Sequence, residues 1–163
     1  MRLRPASESD IPQLAQLWNE YRTLLCQTNH RFEVVLLEYD TWLRLTVTKL
    51  NSPEYLVAAC EVDDGLAGFI IASLMGDNAG LIESLVLDAH RYHGGLGREL
   101  VKMACAWLSK RGANRVFVRV PRHYAVEQAF WRALGGREVE AVDRVYWIET
   151  NWKIPPEFMW ITL

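Results

Sequence analysis

An apolar run, Leu81-Ile82-Glu83-Ser84-Leu85-Val86-Leu87, passes through Asp88-Ala89-His90-Arg91-Tyr92-His93-Gly94-Gly95 into Leu96-Gly97-Arg98-Glu99-Leu100, where apolar residues take up helical spacing. A strand, a glycine-rich loop and a helix in this order leave few folds open. Arg115–Val120 follows as a second strand with Val116, Val118 and Val120 on one face, which makes the unit a right-handed crossover between two parallel strands. The N–H groups that open a helix have no intrahelical acceptor, and the helix dipole adds roughly +0.5 charge there. The same segment is therefore a candidate phosphate site, with glycines that let an anion approach the backbone.

The flanking sequence supplies the remaining elements. Ser7-Glu8-Ser9-Asp10 before Pro12 is a helix start, and Ile11, Leu14, Trp18, Tyr21 and Leu25 then recur at spacings of three and four. One further helix is expected over residues 33–49, with Val35, Tyr39, Trp42 and Leu43 on one side and Asn51-Ser52-Pro53 at its end. Tyr55–Val62 and Leu66–Leu74, joined by Asp63-Asp64-Gly65, read as a hairpin, and Gly76-Asp77-Asn78-Ala79-Gly80 turns the chain into the strand at 81–88. After the loop, Leu100, Val101, Ala104, Cys105 and Leu108 keep helical period as far as Gly112, which stands where a left-handed cap belongs. Val126, Phe130, Ala133 and Leu134 mark a last helix stopped by Gly135-Gly136, and Glu138–Glu149 and Phe158–Leu163 read as two final strands. Pro155-Pro156, between them, cannot join a ladder.

Composition narrows the functional classes. A chain of 163 residues, half of them apolar, fits one domain over residues 1–163 with a sizeable core. A net charge of −2 argues against a nucleic-acid partner held by a basic surface. Cys26, Cys60 and Cys105 are widely spaced and lack a CxxC pair, as expected for free thiols rather than a zinc site. His90 and His93 precede two glycines in a loop, so no metal is expected there either. The amino terminus lacks the apolar run of a secretion signal. The longest apolar tract, Leu66–Met75, is interrupted by Gly68 and Ser73 and falls short of the ~20 residues that cross a bilayer. A cytoplasmic protein with no membrane partner is the expectation.

Three phosphate-binding readings compete for the loop. A nucleoside triphosphatase needs Lys-Ser/Thr after the last glycine, where this chain has Arg98-Glu99. A dinucleotide fingerprint, counted from Gly95 and Gly97, meets Leu100 where its third glycine belongs. The third reading is a resemblance. The order of elements, the mid-chain strand with its Gly95-Leu96-Gly97 helix start, and the later helix ending Phe130-Trp131-Arg132-Ala133-Leu134-Gly135-Gly136 resemble the GNAT superfamily of N-acetyltransferases, over essentially the whole chain.

That resemblance implies an α/β fold, a mixed and partly splayed sheet flanked by about four helices, and acetyl-CoA as co-substrate. The family loop reads Gln/Arg-x-x-Gly-x-Gly/Ala and holds the CoA pyrophosphate with its amides. By carry-over, Tyr92, His93, Gly94, Gly95, Leu96, Gly97 and Arg98 form the cofactor loop, although Tyr92 replaces Gln or Arg at the first position. Leu85, Val86 and Leu87 would bond the pantetheine arm through their main chain. Glu83 falls where many members carry the acid that takes a proton from the amine. It is also independently conspicuous, because a carboxylate in an apolar strand must be paired, solvated or functional. Partial burial would raise its pKa toward that of a general base, whereas a salt-bridged strand glutamate is the plainer alternative. The family's frequent tyrosine acid is replaced by Trp131, whose indole cannot supply that proton. Tyr124, two turns earlier, falls where a cofactor-contacting asparagine is frequent and is the candidate for the acid, a CoA contact or a helix cap.

The implied reaction is direct acetyl transfer to a primary amine of a small molecule or peptide, without an acyl-cysteine. A non-catalytic acyl-CoA sensor is the alternative class, favoured by the departures at Tyr92 and Trp131. Trp18, Tyr21 and Trp42 are expected mainly in the core, on helices that in this family wall the acceptor site, while Trp147, Trp152 and Trp160 gather near the carboxyl end. Arg115, Arg119, Arg122 and His123 are expected beside the cofactor cleft. The apolar tail Phe158–Leu163 reads equally as an internal strand or as an edge for a homodimer.

Overall fold

The computed structural model describes residues 1–91, 94–122, 124–139 and 158–163. The elements are β1 (Arg2–Pro5), α1 (Ile11–Thr28), α2 (Phe32–Val35), α3 (Tyr39–Leu50), β2 (Tyr55–Val62), β3 (Gly65–Met75), β4 (Ala79–Leu87), α4 (Leu96–Lys110), β5 (Arg115–Pro121), α5 (Ala125–Ala133), β6 (Arg137–Val139) and β7 (Phe158–Thr162). Among the described residues the strands form one sheet in the order β1-β2-β3-β4-β5-β7-β6. β4 and β5 are parallel, and every other neighbouring pair is antiparallel.

Local chemistry sets the turns. Asp63 closes the β2–β3 hairpin with a φ of 52°, and Asp77 and Asn78, at 55° and 57°, make the β3–β4 turn. Two adjacent residues in that left-handed region match the twist of a tight hairpin. The entry to α1 is tied to β1 by a fork: Arg4 Nη1 and Nη2 donate to Asp10 Oδ2 and Oδ1 at 2.7 and 2.9 Å, while the Ser7 amide donates to Asp10 Oδ2 at 2.8 Å. These donors hold the Asp10 carboxyl at about 2, below the usual range. α4 ends at Lys110 and is followed by Gly112 at a φ of 92°, the expected left-handed stop.

The sheet separates two cores. On one face α4 and Trp131 of α5 cover Ile70, Ile82, Val118 and Val120 with Leu100, Ala104 and Leu108. On the other face α1 and α3 cover Val57, Ala59, Phe69 and Ile71 with Leu14, Trp18 and Trp42. Period-two alternation in the strands places successive side chains in different cores.

One expectation is corrected and two others are narrowed. The helix read over 33–49 is two helices, because Leu36 adopts an extended backbone (φ −86°, ψ 147°) and α3 starts afresh after Glu38; apolar period alone does not register a break at a residue that can occupy either conformation. The strand read over Glu138–Glu149 is seen as β6 to Val139, and 140–157, with Trp147 and Trp152, lies outside the described residues. In the tail, Trp160–Thr162 is paired on one edge with β5 and on the other with β6, so β7 offers no edge there to a second copy.

Candidate active site

The site begins where the parallel pair comes apart. β4 and β5 are matched from Ala79↔Arg115 to Ile82↔Val118 and no further. Beyond Ile82, β4 keeps β3 on one edge through Ser84, Leu85, Val86 and Leu87, while its other edge has no strand partner among the described residues. The β3–β4 register shifts between Ile71 and Ala72, which pair with Ser84 and Ile82, so Glu83 is the extra residue of a β-bulge. A bulge re-aims side chains and ends regular pairing, and here it opens the sheet beside a carboxylate. Leu85, Val86 and Leu87 thus have no strand partner on the open edge among the described residues.

At the far end of that edge stands the amino terminus of α4. Its first intrahelical bond runs from the Glu99 amide to the Gly95 carbonyl at 3.0 Å, which leaves the amides of Leu96, Gly97 and Arg98 without intrahelical acceptors. Gly95 caps the helix at a φ of 93°, a backbone that side chains rarely adopt, and a Cβ at Gly94 or Gly95 would meet open space. Gly97 serves packing instead: a Cβ there would lie 3.1 Å from both Leu87 and Phe130. Tyr92 and His93, expected in the same loop, lie outside the described residues.

Through the bulge, Glu83 faces the α1–α3 side of the sheet. A cavity of about 180 Å³ opens there, lined among others by Glu83, Ser84, Lys49, Arg119, Trp18 and Trp42. The two indoles stack at 4.9 Å with 13° between their planes and are almost fully buried. Lys49, in the last turn of α3, donates to Glu83 Oε2 at 2.6 Å, and the Ser73 hydroxyl donates to Oε1 at 3.2 Å. The carboxylate is therefore the paired strand glutamate, placed at the mouth of a cavity.

A second, adjoining cavity of about 50 Å³ contains a group that sequence reasoning missed. Glu127, on α5, lines it and accepts a hydrogen bond from the Tyr21 hydroxyl at 2.8 Å. Burial pushes this carboxyl up to about 7, against the opposing pull of the Tyr21 hydrogen bond. The Trp131 indole N–H is near enough to favour the charged form, although it makes no hydrogen bond of good geometry and is otherwise unpartnered. The only sequence signal was a glutamate in the first turn of an apolar-periodic helix, where it reads as an ordinary N-terminal acid.

Tyr124 is the residue capping α5, and its ring packs against the cluster of Leu25, Phe32 and Phe158. Burial and the nearby Glu127 raise its pKa, so the phenol is protonated at neutral pH. It lines neither cavity. The basic residues expected beside the cofactor cleft do not gather. Arg119 points into both cavities, Arg115 lies over Phe117 at 5.7 Å, Arg122 pairs with Glu138 at 3.4 Å, and His123 lies outside the described residues. Arg115 and Arg119 share a face of β5 but stand four residues apart along it, roughly 13 Å at strand rise, and Arg122 lies past the strand end at Pro121. Cys26, Cys60 and Cys105 are free thiols, and none lines either cavity. Among the described residues no group of three or more His, Cys, Asp or Glu is placed to hold a metal, and no helix is long and apolar enough to cross a membrane.

An open mixed sheet whose parallel pair splays beside a glycine-capped helix start, with a cavity at the fork, defines the acyl-CoA N-acyltransferase class of fold. The chain belongs to the GNAT acetyltransferase family, whose pattern it matches over residues 11–135. The comparison with curated proteins gives no match. Among solved structures it is similar to the PaiA N-acetyltransferase of Thermoplasma acidophilum in complex with coenzyme A, at 17% identity and a TM-score of 0.76 over 99% of this chain and 96% of that one. The ribosomal-protein-alanine N-acetyltransferase of Brucella melitensis gives 16% and 0.73 over 100% and 99%. An aminoglycoside 6'-acetyltransferase of type Ii gives 18% and 0.71 over 100% and 96%. Identities this low carry the fold alone.

Proposed function

We propose that the protein moves an acetyl group from acetyl-CoA to a primary amine by direct attack in a ternary complex. The observation that carries this reading is the coincidence of the splay and the bulge: β4 parts from β5 after Ile82, and the next residue is a carboxylate at a cavity mouth. The free edge of Leu85–Leu87 and the unengaged amides of Leu96–Arg98 fit a pantetheine arm and a pyrophosphate. A Cβ at Gly94 or Gly95 would have no described atom within 4 Å apart from its chain neighbours, which suits a close approach to that backbone. Bound acetyl-CoA supplies an activated thioester carbonyl and a thiolate leaving group.

Glu83 is the base in this reading. An alkyl amine with a pKa near 10.4 is only about one part in a thousand neutral at pH 7, equivalent to roughly 4 to 5 kcal/mol if the free base must form. A carboxylate at the mouth of the cavity takes that proton directly or through one water as the C–N bond forms. Lys49 and Ser73 hold its two oxygens, so its position does not depend on substrate. Tyr124, protonated at neutral pH, is the proposed donor to the departing sulfur. That none of the three cysteines lines either cavity supports transfer without an acyl-enzyme.

Calorimetric titration with CoA, run beside an acetylation screen of amine acceptors, tests the reading. Tight CoA binding with release of free thiol in the presence of an amine is the expected result. CoA binding without acetylation of any amine would make the protein a sensor, and no binding at saturating CoA would dismiss both.

A further inference from the structure

The charges around the cavity bear on the acceptor. Lys49 and Glu83 answer one another, and in the adjoining cavity the Glu127 carboxyl is answered by the Tyr21 hydroxyl. Arg119 stands apart from both pairs. Its guanidinium lies 4.5 Å over the Phe158 ring and lines both cavities, yet no described residue forms an ion pair or hydrogen bond with it. Burial draws its pKa below the ordinary arginine value, as for a cation taken out of water, with only partial relief from the field of Glu83. An arginine remains charged even so, and a desolvated charge without a partner is costly. An arriving anion relieves that cost.

Its place in the ladder sets the geometry. Ile82 and Val118 are the last matched pair of β4 and β5, so Glu83 and Arg119 are the next residue on each strand. They flank the opening on the same face of the sheet and share one cavity. A ligand there meets a carboxylate on one side and a planar, five-donor cation on the other.

We propose that Arg119 anchors a carboxylate of the acceptor, so that the substrate class is a compound with a primary amine and a carboxylate a few bonds apart, such as a free α-amino acid. This rests on the acetyl-transfer reading. The amine faces Glu83 and the carboxylate takes the guanidinium fork. A polycation would instead bring its further charges toward Lys49 and Arg119 and be repelled.

Matched pairs that differ only in the carboxylate test the assignment: leucine against 3-methylbutylamine, phenylalanine against phenethylamine and lysine against cadaverine. For at least one pair kcat/KM of the wild-type protein should favour the amino acid by about tenfold or more. Calorimetry without CoA should show the corresponding N-acetyl-amino acid binding and the N-acetyl-amine not. Arg119→Gln should raise KM for the amino acid and carry the ratio toward one, and Arg119→Lys should restore part of it, since an ammonium keeps the charge and loses the fork. Amines turned over as well as their amino acids by the wild type, or an unchanged ratio in Arg119→Gln, would overturn the proposal. So would a preference for succinyl-CoA over acetyl-CoA that Arg119→Gln abolishes, because the carboxylate would then belong to the donor. If the glutamine variant fails to fold, the wild-type pairs still decide. If no amine is acetylated, the acetyl-transfer reading fails alone, and Arg119-dependent binding of the N-acetyl-amino acid without CoA still decides the anchor.

Discussion

The two ends of the splayed strand are built from different materials. At its carboxyl end the proposed donor site is main chain: the open edge of Leu85–Leu87 and the first amides of α4, shaped by Gly95. At its middle the cavity is made of side chains brought from several elements, among them Trp18 from α1, Trp42 and Lys49 from α3, Ile71 from β3, Glu83 from β4 and Arg119 from β5. A site of amides tolerates change in side chains but not in backbone conformation. A site of side chains depends instead on the identity of each group, and beneath this one the bulge at Glu83 is the departure from regular sheet.

Substitutions on the two sides separate these behaviours. The largest effect is expected for Glu83→Gln, which keeps the shape and removes the base: kcat for the true acceptor should fall by about 10² to 10⁴-fold with little change in KM for acetyl-CoA. Steady-state rates across pH measure it, and an unchanged profile would remove Glu83 from the mechanism.

Glu127→Gln reads the partly buried carboxyl of the adjoining cavity. The folded-state pKa is raised from 4.5 to about 7, so the contribution of this group is full below 4.5 and is lost as pH rises through 7. Denaturant titration at pH 8.5 should therefore find the glutamine variant more stable by roughly 3 kcal/mol, with the two proteins converging below pH 4.5. A constant difference across that range would mean that the carboxyl does not titrate there.

On the donor side Gly95→Val forces a branched side chain into the left-handed region. It should cost about 1 to 3 kcal/mol of stability and weaken CoA binding by about tenfold, as read by thermal unfolding and calorimetry. Arg98→Ala, which removes an exposed side chain and leaves its amide, should change the Kd for CoA by less than about threefold. A large loss at Arg98 with none at Gly95 would reverse the contrast between the two ends.

Much of the framework was legible because it is local. The positive backbone angles at Asp77, Asn78, Gly95 and Gly112 follow from residue types that tolerate them, and the alternation of Val116, Val118 and Val120 follows from the pleat. Glu83 was conspicuous for the same local reason, a charge within an apolar run. Its partner was not: Lys49 lies 34 residues away on another element, and nothing in the sequence pairs them. Arg119 was read only as one member of a basic group and Glu127 drew no reading, since their surroundings are created by α1, β7 and the opened sheet.

By itself the sequence determined most of the elements, though not the break between α2 and α3, together with the crossover, the glycine-shaped helix start and the single carboxylate at the strand centre, all set by φ/ψ preference and apolar period within a few neighbours. Only the tertiary structure decided where β4 leaves β5, that the bulge points Glu83 at the cavity, and that Arg119 lines both cavities with no ion pair among the described residues. Those outcomes depend on desolvation and on contacts between residues far apart in the chain, and no local rule carries that information.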